Sequence, residues 1–243
     1  MKLRILFLLL LTICAGFIFS GFTEKKKIRL LVFSKTTGFR HSSIGAGKLA
    51  LLKMGAAHSW LVDTTEDAGF FTSYNLKMYD AVVFLSTTGN ILDSTQQQAL
   101  EQFIRSGKGF AGIHAATDTE YDWPWYVGLV GASFESHPKQ QTARLYRTDK
   151  NHLSTVMLPD TWERFDEWYN FKNINPATHT LLRIDESSYT GGKNGEQHAM
   201  AWYHAYDGGR AFYTALGHTE ASYTEPLFIA HLEGGIKWVL GSK

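Results

Sequence analysis

Gly109-Phe110-Ala111-Gly112-Ile113-His114-Ala115-Ala116 reads as a short apolar strand that runs into small residues. Small residues after a strand let the backbone turn sharply and hold one side chain up at the strand's carboxyl end. α/β hydrolytic folds present a nucleophile in this way. Here the side chain held up is an imidazole, His114, rather than a serine or cysteine. Ligands of open α/β sheets gather at strand carboxyl ends, so His114 is a candidate base. The plainer alternative is a histidine capping a buried strand end. Thr117-Asp118-Thr119 follows at once and offers hydroxyl and carboxylate groups to orient a histidine or to start a helix.

Upstream, apolar runs alternate with helical patterns. Ile28–Phe33 predicts a buried first strand, followed by the polar loop Ser34–His41. Ser42 or Ser43 is placed to cap a helix through about Met54, ended by Gly55. Ser59–Val62 predicts a second strand and Ala81–Leu85 a third, whose exit loop is Ser86-Thr87-Thr88-Gly89-Asn90. Asp93 or Ser94 opens a helix to Ser106, with Leu100, Phe103 and Ile104 on one face and Gly107 at its end. Strands alternating with helices imply a parallel sheet covered on both faces.

The second half is patterned differently. Asp122–Tyr126 predicts an aromatic loop or short helix, and Gln141–Arg147 and Leu181–Ile184 predict strands. Ala199–Tyr206 and Arg210–Leu216 flank Asp207-Gly208-Gly209, a hairpin signal, and Pro226–Leu240 closes the chain with an amphipathic helix. No repeat or Pro-rich linker divides the chain. At 243 residues, 44% hydrophobic and 14% aromatic, it suits one large domain with a sizeable core.

The first 21 residues stand apart. Lys2 and Arg4 precede the apolar run Ile5–Phe19, and Ser20 and Gly21 are small, which is a secretory signal pattern and implies a periplasmic or secreted protein. An uncleaved membrane anchor is the alternative, because the run approaches spanning length. A lipoprotein cut before Cys14 suits Ile13 poorly. Cys14 is the only cysteine, so the chain beyond residue 21 has no disulfide, thiol nucleophile or thiolate metal site. A divalent metal, if used, must be held by His, Asp and Glu. The net charge of +1 and the lack of a basic cluster beyond Lys25-Lys26-Lys27 argue against nucleic acid as a partner.

Three strand exits lie on the same rim and carry Ser34–His41, Ser86–Asn90 with Thr88, and His114–Asp118. Leu216-Gly217-His218 delivers another histidine at a strand end, after a glycine that allows close backbone approach. In Asp166-Glu167-Trp168-Tyr169 two adjacent acids point to opposite faces of a strand, so at most one faces a given pocket. Trp168 and Tyr169 are candidates either to stack a sugar ring or simply to pack in the core, and His137 sits in a loop fixed by Pro138. Imidazoles and carboxylates without cysteine suit proton transfer or a metal site. No tight metal spacing such as HExxH occurs. His58, His179, His198 and His231 read as structural or surface groups, His152 as part of a turn, and His204 is left open.

Several of these stretches together resemble the ThuA-like (trehalose-utilisation) family across nearly all of 28–240. They are Thr37-Gly38-Phe39-Arg40-His41, Gly112–Thr119, Trp123–Tyr126, Leu129–Ala132, Phe134 with His137-Pro138, Asp166–Tyr169, Gly209–Tyr213 and Leu216–His218. The resemblance implies one domain over 28–241. Its fold would be a flavodoxin-like three-layer α/β/α sandwich, similar to class I glutamine amidotransferases, with an added β region. Those relatives present a cysteine where His114 stands here, which argues against amidotransferase chemistry. The family resemblance further implies carbohydrate metabolism, including oxidised (3-keto) sugars. The expected activity is a hydrolase or lyase acting on a glycoside or 3-keto-glycoside. His114 would be the base, His41, His218 or Glu167 the acid, and Asp118 with Glu167 the carboxylate pair of a direct glycosidase. Trp123, Trp125, Trp168, Tyr169, His137 and Thr88 would contact the sugar. The alternative is a non-catalytic sugar-binding module.

Overall fold

The computed structural model describes residues 27–242, and the signal or anchor expected in residues 1–21 lies outside them. No helix among the described residues is long and apolar enough to cross a membrane. The apolar runs of the first half become four parallel strands: β1 Arg29–Phe33, β2 Leu61–Thr65, β3 Ala81–Leu85 and β4 Gly109–Ile113. All five residues of β3 and of β4 are buried, as expected of strands covered on both faces. Helices α1 Ile44–His58, α2 Ser73–Leu76 and α3 Ser94–Arg105 connect them. The rings of Phe33, Phe71, Phe84, Phe110 and Tyr126 run through the core with centroids 4.5–5.9 Å apart.

The second half supplies α4 Pro124–Val130, β5 Ser133–Ser136, β6 Gln141–Arg147, β7 Thr161–Asp166, β8 Asn170–Lys172 and β9 His179–Ile184. The hairpin β10 Ala199–Tyr206 and β11 Gly209–Thr214 and the helix α5 Pro226–Val239 complete it. The nine-stranded sheet runs β2-β1-β3-β4-β11-β10-β9-β6-β7, with β5 and β8 paired separately. β11 pairs parallel with β4 and antiparallel with β10. The five strands ending at β11 therefore have the 2-1-3-4-5 order of flavodoxin-like folds, and the antiparallel strands beyond β11 are the added β region. The edge strand β7 alternates exposed and buried positions, as a sheet with one solvated face requires.

Four local expectations are corrected. Helix α1 does not stop at Gly55 but runs to His58 and ends at Ser59, which is left-handed at φ 58°. Gly55 is there for contact, because a Cβ at this position would lie 2.3 Å from Val62 Cγ2. Strand β2 is shifted to Leu61–Thr65, since its polar Asp63 is bonded by Arg29 and Tyr79 along the sheet edge. Ser43 stands at the start of α1 without capping it, and its Oγ donates instead to the Gly217 carbonyl. Thr117 and Thr119 do not orient His114, because their hydroxyls pair with Tyr213 and Thr87. The start of α3 is as expected, with Asp93 and Gln96 forming a reciprocal capping box.

Candidate functional site

His114 begins a single helical turn directly after β4, with φ 52°, a strained value for a residue with a side chain. The small residues around it make this possible: Ala115 and Ala116 are fully buried, and a Cβ at Gly112 would crowd Ala116 and Tyr213 at 3.1 Å. The ring is held by the carbonyl of Ala215, which accepts from Nδ1 at 2.8 Å. That bond requires a proton on Nδ1 and turns Nε2 towards the interior of the site.

Three further groups meet His114 Nε2. His41 Nε2 and His218 Nδ1 each lie 3.1 Å from His114 Nε2. Glu167 Oε2 lies 3.5 Å from His114 Nε2 and 3.1 Å from His218 Nδ1. All four donor atoms fall within 4.8 Å of one another. His41 closes the loop after β1, His218 follows the exit of β11, and Glu167 follows β7. Thus the rim of the parallel sheet and the end of the added β region both contribute.

Asp166 sets the register of this junction. It is fully buried and ion-paired with Arg164 at 3.0 Å. It accepts from the backbone N–H groups of Gly217, His218 and Glu167 at 3.0–3.1 Å. The two neighbouring acids have different partners: Asp166 holds Arg164 and the backbone at 217–218, whereas Glu167 lines the pocket.

The pocket above the cluster has a volume of about 430 Å³ and is lined by Phe39, His41, Asp118, Phe134, His137, Gln140, Glu167, Tyr169 and His218. Burial pushes the His41 imidazole down to about 3, helped by the neighbouring charges of His114 and His218, so it is neutral. Burial alone would raise the Glu167 carboxyl, but hydrogen bonds and charge from His114 and His218 hold it below the usual carboxylate range. Burial raises Asp118, against the opposing hydrogen bond that Tyr121 Oη donates to Asp118 Oδ1 at 2.6 Å. His137 Nδ1 lies 3.2 Å from Glu167 Oε1.

Not every expected residue reaches this pocket. His114 lies beneath the floor and is fully buried. Trp168 is also fully buried, with its indole N–H on the Gln141 carbonyl, and so presents no face to a ligand. Trp123 and Trp125 stack on each other with centroids 5.1 Å apart, and Trp125 donates to Asp207 in the turn that enters β11. Asp207 lies at the opposite end of β11 from His218. Thr88 is buried and acts indirectly, its Oγ1 donating to the carbonyl of Phe39. Tyr169 lines the pocket as expected, its ring 4.5 Å from that of His114. His204 bonds the carbonyl of Gly128 and belongs to the core. Phe39, Phe134, Gln140 and Tyr121 were not singled out as site residues from sequence. Phe39 and Phe134 do lie in the stretches that carry the family resemblance, whereas Gln140 sits in a polar loop that gives no signal.

Three imidazoles and a carboxylate suit a first-row divalent ion such as zinc, manganese, iron, cobalt or nickel. Donors bound at 2.0–2.1 Å in a tetrahedron sit about 3.3–3.4 Å apart; the four separations around His114 and between His218 and Glu167 are 3.1–3.5 Å, and the whole set lies within 4.8 Å. The second requirement of such a site, a carbonyl on the far nitrogen of a ligating histidine, is met at His114.

A family model described as ThuA, trehalose utilisation, matches residues 29–239. Among solved structures, a ThuA-like protein from Bacteroides uniformis superposes with a TM-score of 0.77 at 20% identity, covering 90% of this chain and 94% of that one. A ThuA-like protein from Parabacteroides merdae gives 0.75 at 19%, covering 89% and 91%. A β-galactosidase from Bacillus circulans gives 0.58 at 11%, covering 89% of this chain but 31% of that one. No curated protein matches.

Proposed function

This chain belongs to the ThuA, or trehalose-utilisation, family, and on that premise we propose that it is a carbohydrate-active lyase or hydrolase acting on a glycoside, with a 3-keto-glycoside as its best-suited substrate. The observation that carries the proposal is the meeting of His41, His114, Glu167 and His218 within 4.8 Å, under a pocket whose wall includes Asp118. A plain binding site has no need for so dense a set of titratable groups. The solved relatives named above support the fold alone.

His41, His114, His218 and Glu167 would hold a divalent ion, which when bound supplies Lewis-acid polarisation of a ketone or hydroxyl oxygen. With these four side chains as its holders, proton transfer falls to groups that face the pocket. Asp118, tied to Tyr121, takes the C2 proton that a C3 ketone acidifies. The C2–H electron pair becomes the C1–C2 double bond, and the C1–oxygen bond breaks. His137, beside Glu167 on the open side, returns a proton to the departing glycosidic oxygen. The base role thus moves from His114 to Asp118, because His114 touches no pocket space.

The test offers purified protein disaccharides and their 3-keto derivatives, with and without added manganese or zinc, while metal content is read by mass spectrometry. The expected result is turnover of keto-sugars that Asp118→Asn abolishes, and near-stoichiometric metal that Glu167→Gln and His114→Ala lose. Saturable sugar binding with no turnover on any substrate would replace the enzyme reading with a binding module.

A further inference from the structure

Phe39 is the most conspicuous side chain at the pocket mouth. It is 67% exposed, although it is a large apolar residue. Single exposed apolar residues are ordinary on protein surfaces, so exposure alone decides nothing. Its setting does. The main chain beneath it is clamped, with the Phe39 carbonyl accepting from Thr88 Oγ1 at 2.9 Å and Thr37 N–H donating to the Thr88 carbonyl at 2.9 Å. Thr37 Oγ1 adds bonds to the carbonyls of Thr88 and Asn90 at 3.2 Å. The ring meets His41 edge-on, with centroids 4.9 Å apart and planes at 85°. A rigid loop therefore holds an uncovered aromatic ring beside the floor of the site.

Aromatic side chains also make up part of the remaining wall. Phe134 and Tyr169 lie 4.3 Å apart, and His137 stacks near Tyr169 at 6.0 Å and 24°. No lysine or arginine lines the pocket, whereas Asp118 and Glu167 both do. The nearest cation in sequence, Arg40, is held away by a two-pronged pair with Glu66 at 2.9 Å on each prong. Away from the floor, where an ion held by the four donors would draw any anion, a phosphate or carboxylate at the far end of the ligand would meet Asp118 and no guanidinium or ammonium group to receive it.

We propose that Phe39 is the face on which the substrate ring stacks, and that the site selects an uncharged sugar ring and rejects phosphorylated sugars and uronic acids. This rests on the carbohydrate reading above and assigns its ring-binding residue and charge class. The flat C–H face of a pyranose is apolar and matches an exposed phenyl ring, while its hydroxyls find Asp118, His137 and Gln140 on the other walls.

Calorimetry on the full-length protein, with matched metal content, compares trehalose and methyl glucoside with trehalose 6-phosphate and glucuronic acid. Truncating a contact aromatic typically costs about ten-fold in affinity. Phe39→Ala is therefore expected to weaken trehalose binding by that factor without moving the thermal transition, because the ring is largely solvated. Phe39→Trp is expected to keep binding and to report it by a fluorescence change. The charged sugars are expected to bind at least about ten-fold more weakly than trehalose. Equal affinity in wild type and Phe39→Ala, or charged sugars binding as tightly as neutral ones, overturns the proposal and leaves the carbohydrate reading standing. Absence of binding by wild type to every one of these sugars overturns the proposal, and joined to absence of turnover and of binding of the 3-keto derivatives it overturns the carbohydrate reading as well.

Discussion

Replacing Asp166 by asparagine tests whether the junction under the site is built as described. The carboxylate is fully buried, paired with an Arg164 side chain that is 4% exposed, and accepts three backbone N–H groups. Asparagine keeps one oxygen but loses the charge. Arg164 is then left with Ser222 Oγ at 2.8 Å and Glu225 at 3.3 Å, and its Nε and Nη1 already have no partner. Breaking a buried ion pair by removing one partner costs about 3–5 kcal/mol. In a domain of this size that lowers the melting temperature by roughly 6–20 °C. Urea unfolding, followed by circular dichroism with the slope checked for change, measures the loss. Hydrogen exchange at Gly217 and His218 should accelerate in the same variant. Asp160→Asn, which loosens an exposed pair with Arg147, is the control and should leave the transition in place. A loss below about 1 kcal/mol for Asp166→Asn would show that the carboxylate does not hold this junction.

Three further outcomes are expected. Gly234→Ala should destabilise by about 1–3 kcal/mol or more, because the new Cβ would lie 2.0 Å from the Leu153 carbonyl oxygen in a backbone that has nowhere to move; unchanged thermal unfolding would contradict the packing of α5 on that turn. Burial pushes His231 down to about 3 and His152 to about 4. The unfolded chain therefore binds protons below its ordinary histidine value near 6.5 while the folded chain does not. Stability should be full above that pH and fall on acidification towards 4, by up to about 1.4 kcal/mol per pH unit for each of these residues. A pH series of unfolding curves for wild type and His231→Gln reads the slope, and an identical slope in both would remove His231 from the explanation. Tyr121→Phe removes the donor on Asp118 Oδ1, so the pH profile of any turnover should shift upward on the side where Asp118 loses its proton; an unmoved profile would separate Asp118 from the proton transfer.

What the sequence discloses and what it hides follow from range. The apolar block of β3, the Asp207-Gly208 turn of the hairpin and the strand-end position of His114 depend on neighbouring residues, and each is visible in a short window. Asp166 is the last residue of β7 and Glu167 lies beyond it, so the two-residue repeat of a strand does not settle how both acids are used. The cluster of His41, His114, Glu167 and His218 leaves no local trace, because each donor comes from a separate strand exit and none shares a ligand spacing with another. Aromatic content misleads for a related reason. Trp168 and Trp125 have the chemistry of a sugar platform, but the fold spends them on the Gln141 carbonyl and on Asp207. The loop that carries Phe39 is held by Thr88, 49 residues away, a contact no local window contains. His41 shows the same gap, since a neutral imidazole at that position is a property of its assembled neighbours.

The floor of the pocket also works as a clasp in the chain's topology. His41 and His114 are 73 positions apart in sequence, and His114 and His218 are 104 apart. Whatever holds these three rings together shuts two large loops, and the entropy of keeping such loops closed grows only slowly with their length. A fragment that ends before β5 retains His41 and His114 but neither Glu167 nor His218, so it has half a floor and an incomplete wall. Fraying of α2 or of the hairpin tip leaves the clasp shut, whereas parting of β11 from β4 opens it at once. Occupancy of the floor should therefore be felt as resistance to separation of the two halves, rising with ligand concentration over its dissociation constant.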